Sequence, residues 1–184
     1  MKGKLDEESR NALIKYRLQR AEQTLDEAKV MSDASYYNAA INRLYYACYY
    51  AVVAALLSRE LSATTHAGVK TMFSLHFIAS GILPKDYGKT FSRLFEMRHS
   101  SDYDDFIYCD KDMVDEYTPK AQELVDGIRR LISLYIFDRL SIEYASSVYT
   151  VSIDTFSNQG NSSKSPFPFV FRLFSATYHY LFYE

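Results

Sequence analysis

The chain has 184 residues, of which 21 are Lys or Arg and 23 are Asp or Glu, so its formal net charge is −2. This length suits one domain of ordinary size with a single hydrophobic core, and the near-neutral charge argues against a broad electropositive surface for nucleic acid. Two cysteines make neither a disulfide framework nor, by themselves, a zinc site. Tyrosine is unusually common, with 17 residues, and this residue type serves cores, interfaces and base-stacking sites alike.

The first ten residues are charged and have no apolar centre, so they do not read as a signal peptide. The longest uncharged apolar run, Leu44–Leu57, has 14 residues and is too short to cross a bilayer. We therefore expect a cytoplasmic protein with no membrane association.

Helical spacing of apolar residues begins near the N-terminal end. Residues 6–31 carry apolar side chains at intervals of two to four and predict a first helix. Ser32 and Asp33 are predicted to cap a second helix, which runs from about Ser35 to Arg59. This second helix is apolar on most sides, which places it at the centre of a bundle.

A third helix is predicted over residues 66–79. Thr64 or Thr65 can cap its N-terminus, and Gly81 supplies a C-terminal stop. Pro84 then opens a fourth helix that ends near Asp104.

A fifth helix is predicted to begin at Asp110 and Asp112 and to reach about Arg139. Pro119 lies one or two turns inside it and is expected to kink it or to delay its start. Short connections between the predicted helices indicate an all-α up-down bundle of four to five helices, formed by residues 1–140.

Residues 141–184 differ in composition from the rest of the chain. They hold only 5 of the charged side chains, but 9 serines and 11 aromatic residues. Residues 146–156 (SSVYTVSIDTF) alternate as a strand does, and residues 167–182 are rich in Phe, Val and Tyr. We expect a C-terminal appendage, either β-like as a short hairpin or disordered, because two strands alone are marginal.

The second predicted helix carries a first candidate site. Arg43, Tyr46 and Tyr50 share one face at i, i+3 and i+7, and Asn42 lies beside them. An arginine in an apolar helix needs an acid, a carbonyl, a phosphate or solvent. Two interpretations stay open: a structural arginine paired with an acid, or an anion contact with aromatic walls that suits a nucleotide.

The end of the fourth predicted helix carries a second candidate site. Arg98 and Asp102 are one turn apart, and His99, Asp102 and Tyr103 share a face. Arginine can bind a phosphate through two hydrogen bonds, and a histidine can act as a general acid or base near neutral pH. The alternative is a simple surface ion pair between Arg98 and Asp102.

Elsewhere the sequence carries little chemistry. His66 is expected to help cap a helix, and His76 to be a core histidine. The chain has no HxxxH or CxxC spacing, no Gly-rich phosphate loop and no nucleophile elbow. We therefore expect neither a metal nor a cofactor.

Three segments together resemble a known family. They are SYYNAAINRLYYACYYAVVAALL, TTHAGVKTMFSLHFIASGIL and the stretch from Phe91 to Phe106, which contains RHSSDYDD. In order and spacing they resemble the HEPN domain (higher eukaryotes and prokaryotes nucleotide-binding), above all its small stand-alone prokaryotic members. The resemblance covers roughly residues 8–137 and excludes the tail.

The resemblance implies a homodimeric helical bundle that is often encoded beside a minimal nucleotidyltransferase. In toxin branches of the family, an Arg-x(4–6)-His motif from each protomer forms an RNA-cleaving site at the dimer interface. In some of these proteins the transferase adenylylates a tyrosine two residues after the histidine. Here Arg98 matches the motif arginine, but Tyr103 stands at the histidine position and Asp105 at that of the modified tyrosine. A phenol is a poorer acid–base group than an imidazole at neutral pH. We therefore expect little or no RNA cleavage by the family mechanism.

Three functions follow as hypotheses. The first, which we expect, is a non-catalytic or weakly active HEPN module that dimerises, binds nucleotide or RNA and pairs with a minimal nucleotidyltransferase in a toxin–antitoxin-like system. The second is a metal-independent endoribonuclease toxin of the HEPN type that uses Arg98 with His99 or Tyr103. The third is a helical adaptor whose tail binds a partner by strand addition. The candidate binding or dimer residues are Asn42, Arg43, Tyr46, Tyr50, Arg98, Asp102 and Tyr103.

Overall fold

The computed structural model describes the backbone of residues 5–103 and 109–157, and the side chains of residues 5–98, 109–137 and 141. Every regular element within these ranges is helical. The elements are α1 (Glu7–Asp33), α2 (Tyr37–Ser58), α3 (His66–Phe73) with a π-helical turn (Ser74–Ile78), α4 (Lys85–Tyr103) and α5 (Lys111–Ser157). The predicted all-α helical bundle is confirmed.

The start of α1 is fixed by a side-chain cap. The carboxylate of Asp6 accepts hydrogen bonds from the backbone N–H and the hydroxyl of Ser9, both at 2.8 Å. The bond from the backbone N–H of Ser9 lowers the pKa of Asp6. Glu7 and Glu8 add negative charge to the first turn, where the helix dipole favours it.

The connection between α1 and α2 differs from the prediction. Ser32 and Asp33 do not cap α2, because both belong to α1, where Asp33 accepts a hydrogen bond from Lys29 at 2.7 Å. The chain turns at Ser35, whose φ of 63° lies in the left-handed region. The N-cap of α2 is Tyr36, which makes no side-chain capping bond.

α1 and α2 pack as an antiparallel pair. Residues equally distant from the turn face each other: Glu27 contacts Arg43 near the turn, and Arg10 contacts Glu60 at the far end, at 3.3 Å and 3.2 Å. This register brings the middle of α1 beside the tyrosine-rich part of α2.

α2 is the central helix, as predicted. Its fully buried side chains include Ile41, Leu44, Tyr45, Cys48 and Val52. By length and composition alone, α2 could also cross a membrane, but 61% of its most apolar window is buried inside the protein. That degree of burial is typical of the core helix of a bundle.

The third helix confirms two predictions. Thr65 caps α3, because its hydroxyl accepts a hydrogen bond from the backbone N–H of Gly68 at 3.0 Å. Gly81 follows the π-helical turn with a φ of 75°, a left-handed conformation that suits a glycine at a helix end. Phe73 and Phe77 from this segment are fully buried.

The limits of α5 agree with the prediction at one end only. Its start is confirmed, because the Asp110 carboxylate accepts a hydrogen bond from the backbone N–H of Met113 at 2.9 Å. Pro119 lies inside the helix and does not delay its start.

The predicted end at Arg139 is wrong, and so is the strand over residues 146–156, because the helix continues to Ser157. Elongation of an existing helix needs no new nucleus, which explains how it overrides local strand propensity. The second predicted strand, over residues 167–182, lies outside the described residues.

α5 packs against α4 through a glycine. A Cβ atom at Gly127 would lie 2.8 Å from Cζ of Tyr87, a distance that real Cβ atoms do not show. An ion pair between Arg129 and Glu22 joins α5 to α1. The side-chain oxygen of Asn38 in α2 accepts a hydrogen bond from the backbone N–H of Cys109 at 2.6 Å.

The chain forms two compact units, Met1–Asp138 and Arg139–Glu184. The packing described above belongs to the first unit. Of the second unit, the structure describes the helical backbone that ends at Ser157.

Candidate functional site

Two arginines from different helices contact one tyrosine ring. The guanidinium carbon of Arg98, on α4, lies 5.5 Å from the ring centre of Tyr46 and 5.7 Å from that of Tyr45. The guanidinium carbon of Arg43, on α2 itself, lies 5.8 Å from the Tyr46 ring centre. These are cation–π distances. We call Arg43, Tyr46 and Arg98 the Tyr46 cluster; the structure brings together these three sequence-predicted residues.

Arg43 has the acidic partner that one interpretation of the sequence required. Its guanidinium lies 3.3 Å from Oε2 of Glu27 on α1, and the other oxygen of that carboxylate lies 3.3 Å from the guanidinium of Arg20. The Arg43 side chain is nevertheless 40% exposed. An exposed pair of this kind contributes little to stability, so Arg43 is not simply a core arginine.

Tyr50 is in contact with two arginines that the sequence analysis did not single out. The guanidinium carbons of Arg17 and Arg20 lie 5.5 Å and 5.7 Å from its ring centre. Both arginines come from α1, opposite Tyr50 in the antiparallel pair. We call Arg17, Arg20 and Tyr50 the Tyr50 cluster; its ring lies 6.3 Å from that of Tyr46.

A histidine, His66, contacts three of the tyrosines of α2. Nδ1 of His66 is 2.7 Å from the hydroxyl of Tyr45, and its ring stacks on Tyr49 with 4.4 Å between centres. The His66 ring also meets the edge of Tyr46 at 6.0 Å. The helix cap is Thr65, and His66 contributes its ring to this side-chain cluster rather than a cap.

Burial controls the ionisation of these tyrosines. It raises the pKa of Tyr45, against the opposing effect of the Arg98 charge. It also raises the pKa of Tyr49, against the charge of Arg17. Both phenols therefore stay protonated at neutral pH. The Tyr45 hydroxyl can donate to an unprotonated Nδ1 of His66 or accept a hydrogen bond from a protonated one.

Of the remaining predicted residues, Asn42 has a side chain that the structure describes. Asn42 is half-buried, and its side-chain oxygen has no hydrogen-bond donor among the described residues. The backbones of His99, Asp102 and Tyr103 belong to the last turns of α4, but their side chains lie outside the described residues. Asp105 lies outside them altogether.

His76 is half-buried on the π-helical turn and is not part of the core. Among the described side chains, those of residues 5–98, 109–137 and 141, no three His, Cys, Asp or Glu residues come close enough together to hold a metal ion.

Several known proteins resemble a large part of this chain. A protein of Thermotoga maritima named UPF0332 protein is 36% identical over 120 residues, which are 65% of this chain and 91% of that protein. Putative toxin MJ0605 of Methanocaldococcus jannaschii is 33% identical over 103 residues, 56% of this chain and 76% of the relative. Putative toxin MJ0142 of the same organism is 28% identical over 115 residues, 62% and 78% of the two chains.

The sequence model described as HEPN domain matches residues 14–131, well over half of the chain. This range contains both tyrosine clusters and His66, and it agrees with the three segments that carried the resemblance. The chain belongs to the HEPN domain family.

Proposed function

We propose that this protein is an RNA- or nucleotide-binding HEPN module and that the Tyr46 cluster is its binding site. The observation that carries the proposal is the meeting of Arg43 and Arg98, from two helices, on the partly exposed ring of Tyr46. Guanidinium groups bind phosphate oxygens through paired hydrogen bonds, and a tyrosine ring offers a stacking surface for a base.

Charge and exposure fit a local site of this kind. The whole chain has a formal net charge of −2, so attraction of a polyanion depends on local positive charge. Glu27 holds Arg43 in position through an ion pair that is 37–40% exposed. A phosphate group can therefore approach Arg43 from solvent and compete with the carboxylate.

The assembly that we propose follows the family. We propose a cytoplasmic homodimer, paired with a minimal nucleotidyltransferase in a toxin–antitoxin-like system. We also propose that catalysis is absent or weak, because Tyr103 occupies the histidine position of the Arg-x(4–6)-His motif that begins at Arg98.

A second candidate function is RNA cleavage. Two relatives carry the word toxin in their names, and the imidazole of His66 lies near the tyrosines that Arg98 contacts. An imidazole and a guanidinium that contact the same tyrosine ring are a combination able to move a proton and to stabilise a phosphate's developing charge.

Binding is tested with a fluorescein-labelled single-stranded RNA and fluorescence anisotropy. Arg98→Ala should weaken binding by about tenfold or more, because a hydrogen bond to a charged group contributes about 1.5–3 kcal/mol. Arg98→Lys, which keeps the charge, should retain part of the affinity and guards against misfolding. The control is Lys89→Ala, which removes a positive charge from an exposed pair with Asp86.

Equal affinity of the parent, Arg98→Ala and Lys89→Ala would overturn the assignment of the site. Cleavage is tested separately, by inducing the protein in cells and following growth and RNA integrity. If RNA is degraded by the parent and left intact by both Arg98→Ala and His66→Asn, the second candidate replaces a quiet binding module.

A further inference from the structure

The Tyr46 cluster has a neighbour built in the same way. Tyr50 follows Tyr46 by one turn on the same face of α2, and their ring centres are 6.3 Å apart. Arg17 and Arg20 contact Tyr50 as Arg43 and Arg98 contact Tyr46, with guanidinium carbons 5.5 Å and 5.7 Å from the ring centre. Two tyrosines on successive turns of one helix face thus each contact a pair of arginines.

We propose that the Tyr50 cluster is a second phosphate subsite, so that the ligand of this face is a single-stranded RNA with at least two phosphates rather than a mononucleotide. The inference rests on the proposed function of the Tyr46 cluster and extends it. Successive bases of a single strand stack on successive aromatic side chains while basic groups follow the backbone, and the paired clusters match that arrangement.

The charges of the Tyr50 cluster support an anionic ligand. Arg17 makes no ion pair in the part of the chain that the structure describes, and its Nε is buried with no hydrogen-bond acceptor there. Arg20 shares the carboxylate of Glu27 with Arg43. One carboxylate therefore pairs with one arginine of each cluster. The Tyr50 cluster, with two arginines and a share in one carboxylate, keeps a net positive charge.

Accessibility also supports a ligand. The side chains of Arg20 and Glu27 are 29% and 37% exposed, and Tyr50 is half-buried. The Arg20 guanidinium is thus held by the tyrosine ring and the carboxylate, and that of the half-buried Arg17 by the ring alone, and neither side chain is fully buried. Arginines held in place in this way lose little conformational entropy when they bind a phosphate.

The test compares short ligands of different phosphate number. Unlabelled UMP, pUpU and pUpUpU compete against a fluorescein-labelled hexauridylate for the parent protein, Arg17→Ala, Arg17→Lys and the control Lys15→Ala. Lys15 is an exposed residue of the same helix, so its replacement removes the same charge. Circular dichroism establishes that each variant is folded.

We expect pUpU to compete at least about tenfold better than UMP for the parent and for Lys15→Ala. Arg17→Ala should abolish most of this difference, because one of the two phosphate subsites is then lost. For binding of the hexauridylate to Arg17→Ala, the slope of log affinity against log salt concentration should become less steep by about 0.7, because one phosphate contact is lost. Arg17→Lys should restore that slope.

Equal competition by UMP and pUpU, or identical behaviour of Arg17→Ala and Lys15→Ala, would overturn the second subsite while leaving the Tyr46 site intact. Failure of the parent to bind any of the RNAs would instead remove the proposed function and the inference together. A change in oligomeric mass in Arg17→Ala, measured by light scattering, would reassign the Tyr50 cluster to a protein interface.

Discussion

The hydroxyl of Tyr45 and Nδ1 of His66 lie 2.7 Å apart, which joins the core helix α2 to the first turn of α3. Tyr45 is fully buried, while His66 is only half-buried. We call the surface formed by the Tyr46 and Tyr50 clusters the arginine–tyrosine face. The hydrogen bond extends from the core to the edge of this face and orients the imidazole there.

Removal of that hydroxyl should destabilise the protein modestly. Tyr45→Phe keeps the ring and deletes the hydrogen bond, so the free energy of unfolding should fall by about 1 kcal/mol, the usual net value. Urea unfolding measures this change. The control is Tyr16→Phe, at a side chain that is 53% exposed, which should stay within about 0.5 kcal/mol of the parent. Equal effects of the two substitutions would contradict a role for the Tyr45–His66 bond.

Alkaline pH should destabilise the fold through its buried acids. Burial raises the pKa of Cys48 from its ordinary value of 9.0 and that of Tyr45 from 10.0. Below these ordinary values the contribution of each group to stability is fully present. At higher pH the unfolded chain releases its proton first, so stability falls until the folded pKa is reached.

The measurement is urea unfolding at several pH values between 7 and 11. Through Cys48 alone, the free energy of unfolding should fall by about 1 kcal/mol for each pH unit above pH 9. Cys48→Ala, although less stable at pH 7, should lose less stability over this range than the parent does. Parallel pH profiles of the two proteins would contradict the effect of burial on Cys48.

A side chain at Gly127 should be poorly tolerated. Its Cβ would collide with the ring of Tyr87, which is buried between α4 and α5. Overpacking of this kind costs about 1–3 kcal/mol, against which better helix propensity returns about 1 kcal/mol. Gly127→Ala should therefore lower the melting temperature.

Two comparisons make this test specific. Gly88→Ala places its Cβ 3.1 Å from the flexible side chain of Ile78 and should be milder. Tyr87→Leu should cost stability alone but reduce the additional cost of Gly127→Ala, because it removes the clashing ring atoms. Strict additivity of the two changes would show that the ring is not the obstacle.

The proposed assembly has a direct measurement. Light scattering should give twice the chain mass of 21.3 kDa for the purified protein. Co-expression with an adjacent nucleotidyltransferase gene should yield a complex that survives purification. A monomeric mass would contradict the dimer, and failure to co-purify would contradict the partnership.

Local chemistry explains which helix limits were predictable. Asp110, Thr65 and Gly81 act within three or four residues along the chain, and all three predictions are confirmed. The predicted cap at Asp33 is wrong, because this carboxylate instead forms an ion pair with Lys29 one turn earlier inside α1. A capping residue type does not reveal which of its two options is realised.

Interhelical contacts explain what the sequence analysis missed. His66 lies 21 residues from Tyr45 along the chain, and no local pattern joins them. Arg20 could have been found, and with it Arg17 one turn earlier on the same face, because a short turn at Ser35 predicts an antiparallel pair in which residues equally distant from the turn face each other. That rule places Arg20 opposite Tyr50, as the structure has it.

If the Tyr46 and Tyr50 clusters bind RNA as we propose, the carboxylate of Glu27 makes that binding selective. It is a tethered anion at high local concentration, and any ligand that reaches Arg20 or Arg43 must displace or share it. Simple monovalent ions gain little from that exchange, since they offer one charge for one. A strand with two phosphates engages both arginines at once. Competition from Glu27 therefore favours the binding of multivalent anions over that of the monovalent ions in the surrounding solution.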